Sequence, residues 1–347
     1  MLRRLLLVLC FGLLSVVTSA QDDMSELFSE EECPFSVPDG VQVDCGYLLT
    51  PERHANPDGA QLYLAVAIIR ARSGAAEPDP IIYLEGGPGG SALSGIDGWV
   101  NAALGENRDI ILVDQRGTGY SEPGLFCEFY NYDFDIEEVD SVTHHAACVE
   151  NLRADGIDVS AYNSAESAAD VALLIEALGY EQVNLYGISY GTRVALTVMR
   201  DYPDLIRAVV LDSPFPPHVN GFEEQAPNGW AAMQALFDAC DADPDCADAF
   251  PDLEGRLSDF LVSLEDETLV FEGEDGETEY TADDVVNELF QLMYNHAAIP
   301  YLPAALDELI EGYPEAFADL VAGGTPADWE GEDESDEVMD DDEDADE

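Results

Sequence analysis

The stretch VNLYGISYGT, residues 183–192, indicates the fold of this sequence most directly. Its first residues are typical of a short buried strand, and a helix-forming segment follows. Between them lies the pattern G-x-S-x-G, which in that context predicts a nucleophile elbow, a sharp turn that exposes a serine at the end of a strand. The glycines permit the turn, and the helix directs its positive N-terminal end toward developing negative charge. Ser189 is therefore the candidate nucleophile.

On both sides of this motif, residues 41–212 alternate strand-like apolar runs with helical patterns, which favours a parallel-rich sheet with crossover helices. The candidate strands are residues 41–49, 61–70, 80–84, 109–113, 182–186 and 208–211. Ser164 is expected to cap a helix that runs to Leu178, with Gly179 just beyond its end.

Beyond Asp212 the pattern changes to helical periodicity, and only residues 268–271 suggest a strand. The sequence predicts an α/β core over residues 21–217 and a helical unit over residues 218–325. The acidic segment 326–347 is expected to be solvated and disordered.

A second glycine-rich motif, EGGPGGS at residues 85–91, follows the candidate strand 80–84. Acyl transfer needs two N–H groups aimed at the oxyanion, one from the residue after the nucleophile and one from such an earlier loop. These donors are assigned to Tyr190 and Gly87. A phosphate-binding loop is the alternative, but the spacing GxGxxG and a P-loop lysine are both absent.

A third motif, DQRGTGYS at residues 114–121, also follows a strand. Asp114 and Arg116 are expected to brace the loop beneath the site, not to take part in bond breaking.

Four motifs in fixed order (GGPGGS, DQRGTGYS, GISYGT and LDSPFPP) resemble the prolyl and tripeptidyl aminopeptidase branch of the α/β-hydrolases. The resemblance covers residues 33–217, and the helical segment beyond is similar to that family's cap domain. It implies an α/β-hydrolase core with a helical cap, a serine aminopeptidase without a cofactor, and a peptide substrate. Glu85 stands where prolyl enzymes usually have histidine, which argues against strict proline specificity.

In this fold the catalytic residues follow the order serine, acid, histidine. The histidines are His54, His144, His145, His218 and His296. The first three precede Ser189, and the last lies within the helical cap pattern. Asp212 with His218 is the only local alternative. The interpretation is that the C-terminal part of the core is missing and that the chain is the N-terminal portion of a longer enzyme.

The substrate's free ammonium needs a carboxylate partner if it is buried, and Glu223 and Glu224 lie where the cap begins. They are the candidate substrate-binding residues. An esterase of the same fold, or a secreted protein that has kept the fold without catalysis, remains an alternative.

Residues 1–20 contain two arginines, an apolar run over residues 5–17 and a small-residue end, which is typical of a secretory signal peptide. A membrane anchor is the alternative, but the run is shorter than the ~20 residues that span a bilayer. The mature protein is therefore expected outside the cytoplasm, extracellular or periplasmic, with no membrane span.

Six cysteines remain once Cys10 is removed with the leader, and an even count after a signal peptide predicts disulfides. The nearest-neighbour pairs are Cys33 with Cys45, Cys127 with Cys148, and Cys240 with Cys246. A zinc site is disfavoured because no pair has CxxC spacing, and no metal is expected.

The chain carries 74 acidic and 12 basic residues, a formal net charge of −62, and every basic side chain is arginine. Such a surface excludes nucleic acid as a partner. Because salt screens self-repulsion, the composition suggests a saline environment. It does not predict an oligomeric state.

Overall fold

A computed structural model describes residues 27–127, 141–264, 268–273 and 276–324. The predicted leader at 1–20 and the acidic segment 326–347 lie outside these residues. The chain forms two compact units that divide between Val219 and Asn220, two residues beyond the predicted boundary.

The first unit is built on a seven-stranded mixed sheet with the order β1-β2-β3-β5-β4-β6-β7. The strands are β1 (Phe28–Glu31), β2 (Val43–Pro51), β3 (Gln61–Ile69), β4 (Ile81–Leu84), β5 (Ile110–Val113), β6 (Val183–Ile188) and β7 (Ile206–Asp212). The pairs from β1 to β5 are antiparallel, and β5, β4, β6 and β7 run parallel. All six predicted strands are present within two residues of their predicted limits.

Strand β1 was not predicted, because its sequence FSEE has neither an apolar run nor a buried face. It is a strand through its pairing with β2, where Phe28 lies opposite Leu48.

The parallel half of the sheet positions the site. Strands β4 and β5 are buried along their whole length, as expected for central parallel strands. Leu84 on β4 lies opposite Gly187 on β6, and Ile188 lies opposite Asp212 on β7. The carboxyl ends of three neighbouring strands therefore meet at one edge of the sheet.

Helices cover the faces of this sheet. They are α1 (Ile96–Val100), α2 (Ser141–Ala154), α3 (Ser164–Ala177) and α4 (Tyr190–Asp201). The predicted cap of α3 was wrong by one residue. Asn163 is the N-cap, since its side-chain oxygen accepts the N–H groups of Ala165 and Glu166 at 3.0 and 3.1 Å. Gly179 follows the helix with a φ of 75°.

The second unit is mostly helical around its own apolar core. Its elements are α5 (Gly221–Ala242), α6 (Pro244–Ala249), α7 (Leu253–Ser263), β8 (Leu269–Gly273), β9 (Gly276–Tyr280), α8 (Ala282–Leu292), α9 (Leu302–Ile310) and α10 (Glu315–Val321). Phe317, Val285 and Leu306 are fully buried in that core. One strand was predicted here, but the structure has an antiparallel hairpin of two, because the polar β9 pairs with β8.

The cysteines are joined as nearest neighbours. Cys33 is bonded to Cys45, Cys127 to Cys148, and Cys240 to Cys246. In the second unit, the bond between Cys240 and Cys246 links the last turn of α5 to α6. No helix among the described residues is long and apolar enough to cross a membrane.

Nine of the ten arginines within the described residues pair with a carboxylate. With 74 acidic residues in the chain, most carboxylates are left without a basic partner. The folded protein therefore carries strong self-repulsion.

We expect sodium chloride to raise the melting temperature. Between about 0.01 M and 1 M salt the Debye length falls from about 30 to 3 Å, so repulsion between surface carboxylates is screened. Each 1 kcal/mol of relieved repulsion raises the Tm by about 2–4 °C for domains of this size. Calorimetry from low to high salt measures the shift, and the shift should shrink near pH 4, where carboxylates begin to protonate. A Tm that does not rise with salt contradicts the idea.

Candidate active site

Ser189 occupies the turn between β6 and α4. Its backbone has φ 50° and ψ −119°, a conformation that non-glycine residues rarely adopt and that costs about 1–3 kcal/mol. The Ser189 N–H donates to the carbonyl oxygen of Asp212 at 2.9 Å, which ties the turn to β7. The residue is exposed at the edge where the parallel strands end.

Two glycines permit this turn. A Cβ atom on Gly191 would lie 1.9 Å from the carbonyl oxygen of Leu84, and one on Gly187 would lie 2.7 Å from that of Gly191. No side chain fits at either position, so the motif needs glycine on both sides of the serine.

The glycine-rich loop lies against the nucleophile. A Cβ atom on Gly86 would lie 3.1 Å from Cβ and 3.6 Å from Oγ of Ser189. Gly87 follows with a φ of 108°. Tyr190 is the first residue of α4, where helix geometry leaves the N–H unpaired. Neither the Gly87 nor the Tyr190 N–H has an acceptor among the described residues. Both donors are open for an oxyanion, and their role stays a prediction.

The Glu85 side chain fixes the start of this loop. One carboxylate oxygen accepts the Gly86 N–H at 2.7 Å, and the other accepts the Tyr83 hydroxyl at 2.9 Å. The main-chain oxygen of Glu85 accepts from Gln115 at 2.9 Å. Burial, reinforced by Glu85, raises the pKa of Tyr83, so its hydroxyl stays protonated and able to donate.

An aromatic cluster, made of Tyr83, Trp99 and Tyr186, lies beside these groups. The ring centroids of Tyr83 and Trp99 are 4.3 Å apart, and those of Trp99 and Tyr186 are 5.6 Å apart. The Tyr186 hydroxyl donates to the Asp212 carboxylate at 3.0 Å, and this hydrogen bond raises the pKa of Tyr186. The cluster was not predicted from the sequence, although Tyr83 and Tyr186 occupy paired positions on β4 and β6.

Thr192 and Arg193 of α4 hold the segment that leaves β7. The Thr192 hydroxyl donates to the carbonyl of Ser189 at 2.6 Å and accepts the N–H of Phe215 at 2.7 Å. The Arg193 guanidinium lies 4.7 Å from the centre of the Phe215 ring. It also donates to the main-chain oxygens of Pro216, Pro217 and Val219 at 3.3, 3.0 and 3.3 Å. The helix after the nucleophile and the exit of β7 are thus fastened together.

We expect Thr192→Val to destabilise the protein by about 1–3 kcal/mol, because the part-buried Phe215 N–H loses its acceptor and the Ser189 carbonyl keeps only the Thr192 N–H as a donor. Urea unfolding measures the loss. Thr197→Val on the same helix is the matched control, since its hydroxyl only returns to the carbonyl of Arg193. Equal losses in the two variants would show that Thr192 has no special part in the turn.

The predicted brace has partners that suit that role. Asp114 is fully buried and accepts from the Ser91 hydroxyl, the Leu93 N–H and the Tyr120 N–H. Burial raises its pKa in spite of these donors. The contacts of Arg116 form the other part of the brace.

Arg116 is buried and forms a two-pronged ion pair with Asp170, with both N–O distances 2.7 Å. It also donates to the carbonyls of Glu52 and Ala161. These contacts join β2, β5 and α3 beneath the site.

No histidine side chain that the structure describes is hydrogen-bonded to Ser189. His54 is bonded to Asp170 at 2.8 Å and belongs to the brace. His218 is exposed and is not bonded to Asp212, whose carboxylate instead accepts from Tyr186 and Ser213. The local acid–base pair considered from the sequence is therefore not formed.

Glu223 and Glu224 are exposed in the first turn of α5, in the second unit. Carboxylates at that position also stabilise the helix through its dipole. Their substrate-binding role stays a prediction. The described residues contain no group of three or more His, Cys, Asp and Glu side chains that could hold a metal ion.

Comparison with known proteins agrees with this geometry. A model of the family described as alpha/beta hydrolase fold matches residues 79–268. The chain is 29% identical over 194 residues to the tripeptidyl aminopeptidase of Streptomyces coelicolor, covering 49% of this chain and 35% of that protein. It is 26% identical over 200 residues to the serine protease Hip1 of Mycobacterium tuberculosis, covering 52% and 38%.

A third relative is the proline iminopeptidase of Aeromonas sobria, 29% identical over 178 residues, which cover 50% of this chain and 37% of that protein. The chain thus spans little more than a third of the length of the curated relatives it matches.

Proposed function

Because the chain belongs to the alpha/beta hydrolase fold family, we propose that it is a serine hydrolase in which Ser189 is the nucleophile and the substrate is a peptide with a free N-terminus. The observation that carries the proposal is the backbone of Ser189, which presents an exposed hydroxyl at φ 50° with the Gly86 loop against it. Strain of this kind is characteristic of functional sites.

In the proposed reaction, Ser189 Oγ attacks the carbonyl carbon of the scissile bond while a general base takes its proton. The carbonyl oxygen becomes an oxyanion that accepts hydrogen bonds from the N–H groups of Gly87 and Tyr190. Collapse of this intermediate breaks the C–N bond, and the base returns the proton to the leaving amine. Water then hydrolyses the acyl-enzyme by the reverse use of the same groups.

The proposal requires a base that the described residues do not place at Ser189. We infer that the acid and the histidine are supplied by segments other than the described residues, as the order serine, acid, histidine suggests. Strand β7 supports this inference, since it is the last strand of the described sheet and Val210 on it is 51% exposed. An additional element would cover that surface.

The peptide substrate is supported by the names of the relatives, which are a tripeptidyl aminopeptidase, a serine protease and a proline iminopeptidase. The same elbow also serves esters. Hydrolysis of aminoacyl and tripeptidyl amides should therefore be compared with that of short acyl esters of matched leaving group. Preference for the esters would replace the peptidase proposal with an esterase. Absence of hydrolysis with either class, even with an added base, would favour a protein that has kept the fold without catalysis.

Glu223 and Glu224 are proposed to bind the substrate's free ammonium. In a catalytically complete form, Glu223→Gln or Glu224→Gln should raise KM for free-amine substrates and leave KM for N-blocked substrates unchanged. The comparison of blocked and free substrates is the control for a general loss of folding. Equal changes in KM for free-amine and N-blocked substrates would show that Glu223 and Glu224 do not bind the ammonium group.

We also propose that the protein works outside the cytoplasm. The leader-like residues 1–20 and three disulfides support this location, since disulfides persist in oxidising compartments.

A further inference from the structure

We propose that the second unit carries a binding pocket for a small apolar monocation, such as an arylalkylamine, and that this site is separate from the chemistry of Ser189. The pocket has a volume of about 290 Å³ and lies among α5, α7 and the start of α8. A pocket of this volume admits a ligand of about the size of 2-phenylethylamine.

The walls of the pocket are mainly apolar. Phe237 and Leu257 are each 3% exposed and form part of the packed core, whereas Trp230 and Val262 at the pocket are 45% and 61% exposed. Large apolar side chains that remain exposed around a concavity are typical of a ligand site. The indole ring of Trp230, which lines the pocket, is the aromatic ring type that binds cations best.

Two carboxylates, those of Glu254 and Asp283, line the same pocket. Neither has a hydrogen bond or an ion pair with another described residue. Both carboxylates are exposed to solvent, and no basic side chain among the described residues lines the pocket with them. The charge of the lining therefore favours a cation over an anion.

The second unit has one basic side chain, and it is paired with other carboxylates. Arg256 is the only lysine or arginine between residues 220 and 347. Its guanidinium is already paired with Asp307, and it approaches Glu311 at 3.9 Å. Within the second unit no basic side chain is left to pair with Glu254 and Asp283, and an apolar pocket favours a cation that carries an apolar group over a simple metal ion.

The site is tested with three probes of nearly equal shape: 2-phenylethylamine as the cation, 2-phenylethanol as the neutral analogue and 3-phenylpropionate as the anion. Titration calorimetry or ligand-observed NMR at low salt needs no turnover, so the result is independent of the hydrolase proposal. We expect the amine to bind about five- to tenfold more tightly than the alcohol, the sum of two solvent-exposed charge interactions. The anion should bind most weakly.

Variants separate the two parts of the site. The double variant Glu254→Gln with Asp283→Asn should bring the ratio of the affinities for the amine and the alcohol to about one. Trp230→Ala should weaken the binding of both probes. Asp259→Asn is the matched control, because Asp259 is on α7 but does not line the pocket. Glu254 and Asp283 also lie in the first turns of their helices, so unfolding of each variant is measured in parallel.

Three binding results and one change of oligomeric state would each overturn the proposal. The binding results are equal binding of amine and alcohol by the unaltered protein, preference for the amine that persists in the double variant, and no detectable binding of any probe up to millimolar concentration. A change of oligomeric state in Trp230→Ala without a change in ligand binding would also overturn it, since the exposed tryptophan would then serve self-association.

Discussion

Replacement of Ser189 by alanine is expected to abolish covalent labelling by a fluorophosphonate probe. The probe phosphonylates a serine that is exposed and close to oxyanion donors. Ser189 is exposed, and the loop at Gly86 and the first residue of α4 lie beside it, where the two donors are predicted. Labelling of the 347-residue chain should be slow, since no described histidine reaches Ser189. Added imidazole should accelerate it by replacing the absent base. Intact-protein mass spectrometry and peptide mapping identify the labelled residue.

Ser213→Ala provides the control, because Ser213 follows the neighbouring strand and also has a positive φ, 55°. The Ser213→Ala variant should be labelled by the probe at the same rate as the unaltered chain. Modification of any other serine, or of the Ser189→Ala variant, would disprove the assignment. In a catalytically complete form of the enzyme, Ser189→Ala should lower kcat by about 10⁶-fold. This is the usual loss when a nucleophile that acts as a unit with its base is removed.

Turnover provides a further check on the location of the base. We expect the chain alone to hydrolyse peptides far below the ~1 s⁻¹ typical of enzymes. A normal rate would show that the base lies within residues 1–347, and His218→Ala would then be the first variant to measure.

The second large effect is expected from Gly191→Ala. The added methyl carbon would lie 1.9 Å from the oxygen and 2.6 Å from the carbon of the Leu84 carbonyl, both of them backbone atoms of the central strand β4. Because α4 and β4 would have to separate, we expect a loss of about 4 kcal/mol or more, or a failure to fold. Chemical unfolding measures the change, and the yield of soluble protein reports a failure to fold.

Gly98→Ala is the matched control. Gly98 is also helical, within α1, but a Cβ atom there would have no neighbour within 4 Å. That variant should be neutral or more stable by about 0.5–1 kcal/mol, because alanine favours the helix. Similar stability of the two variants would show that the packing of α4 on β4 is not close at Gly191.

The sequence predicted the parts of the fold whose signal is local. Strands β4 and β5 are four-residue apolar runs bounded by polar residues and glycine, and each was located to within one residue. The sharp turn at Ser189 was predicted from its own short motif, since the turn needs Gly187 and Gly191 in fixed positions.

Contacts between distant segments could not be predicted in this way. Arg116 meets Asp170 across 54 residues of sequence, and the Arg193 guanidinium reaches carbonyls more than 20 residues away. Every residue has a main-chain carbonyl, so the sequence does not indicate which carbonyls Arg193 binds. The structure shows that these carbonyls take the place of a carboxylate partner. Strand β1 is a similar case, because pairing with β2 and not its own composition makes it a strand.

The exposed edge of β7 has a consequence for colloidal stability. An outermost strand offers unpaired N–H and C=O groups to any other strand, and an exposed Val210 adds apolar surface to that edge. At a net charge of −62, two copies repel each other before their edges can meet. Added salt weakens this repulsion between molecules together with the repulsion within each molecule. The ionic strength that gives the highest melting temperature is therefore also one at which filaments or aggregates can grow, and the most monodisperse samples should lie at lower salt.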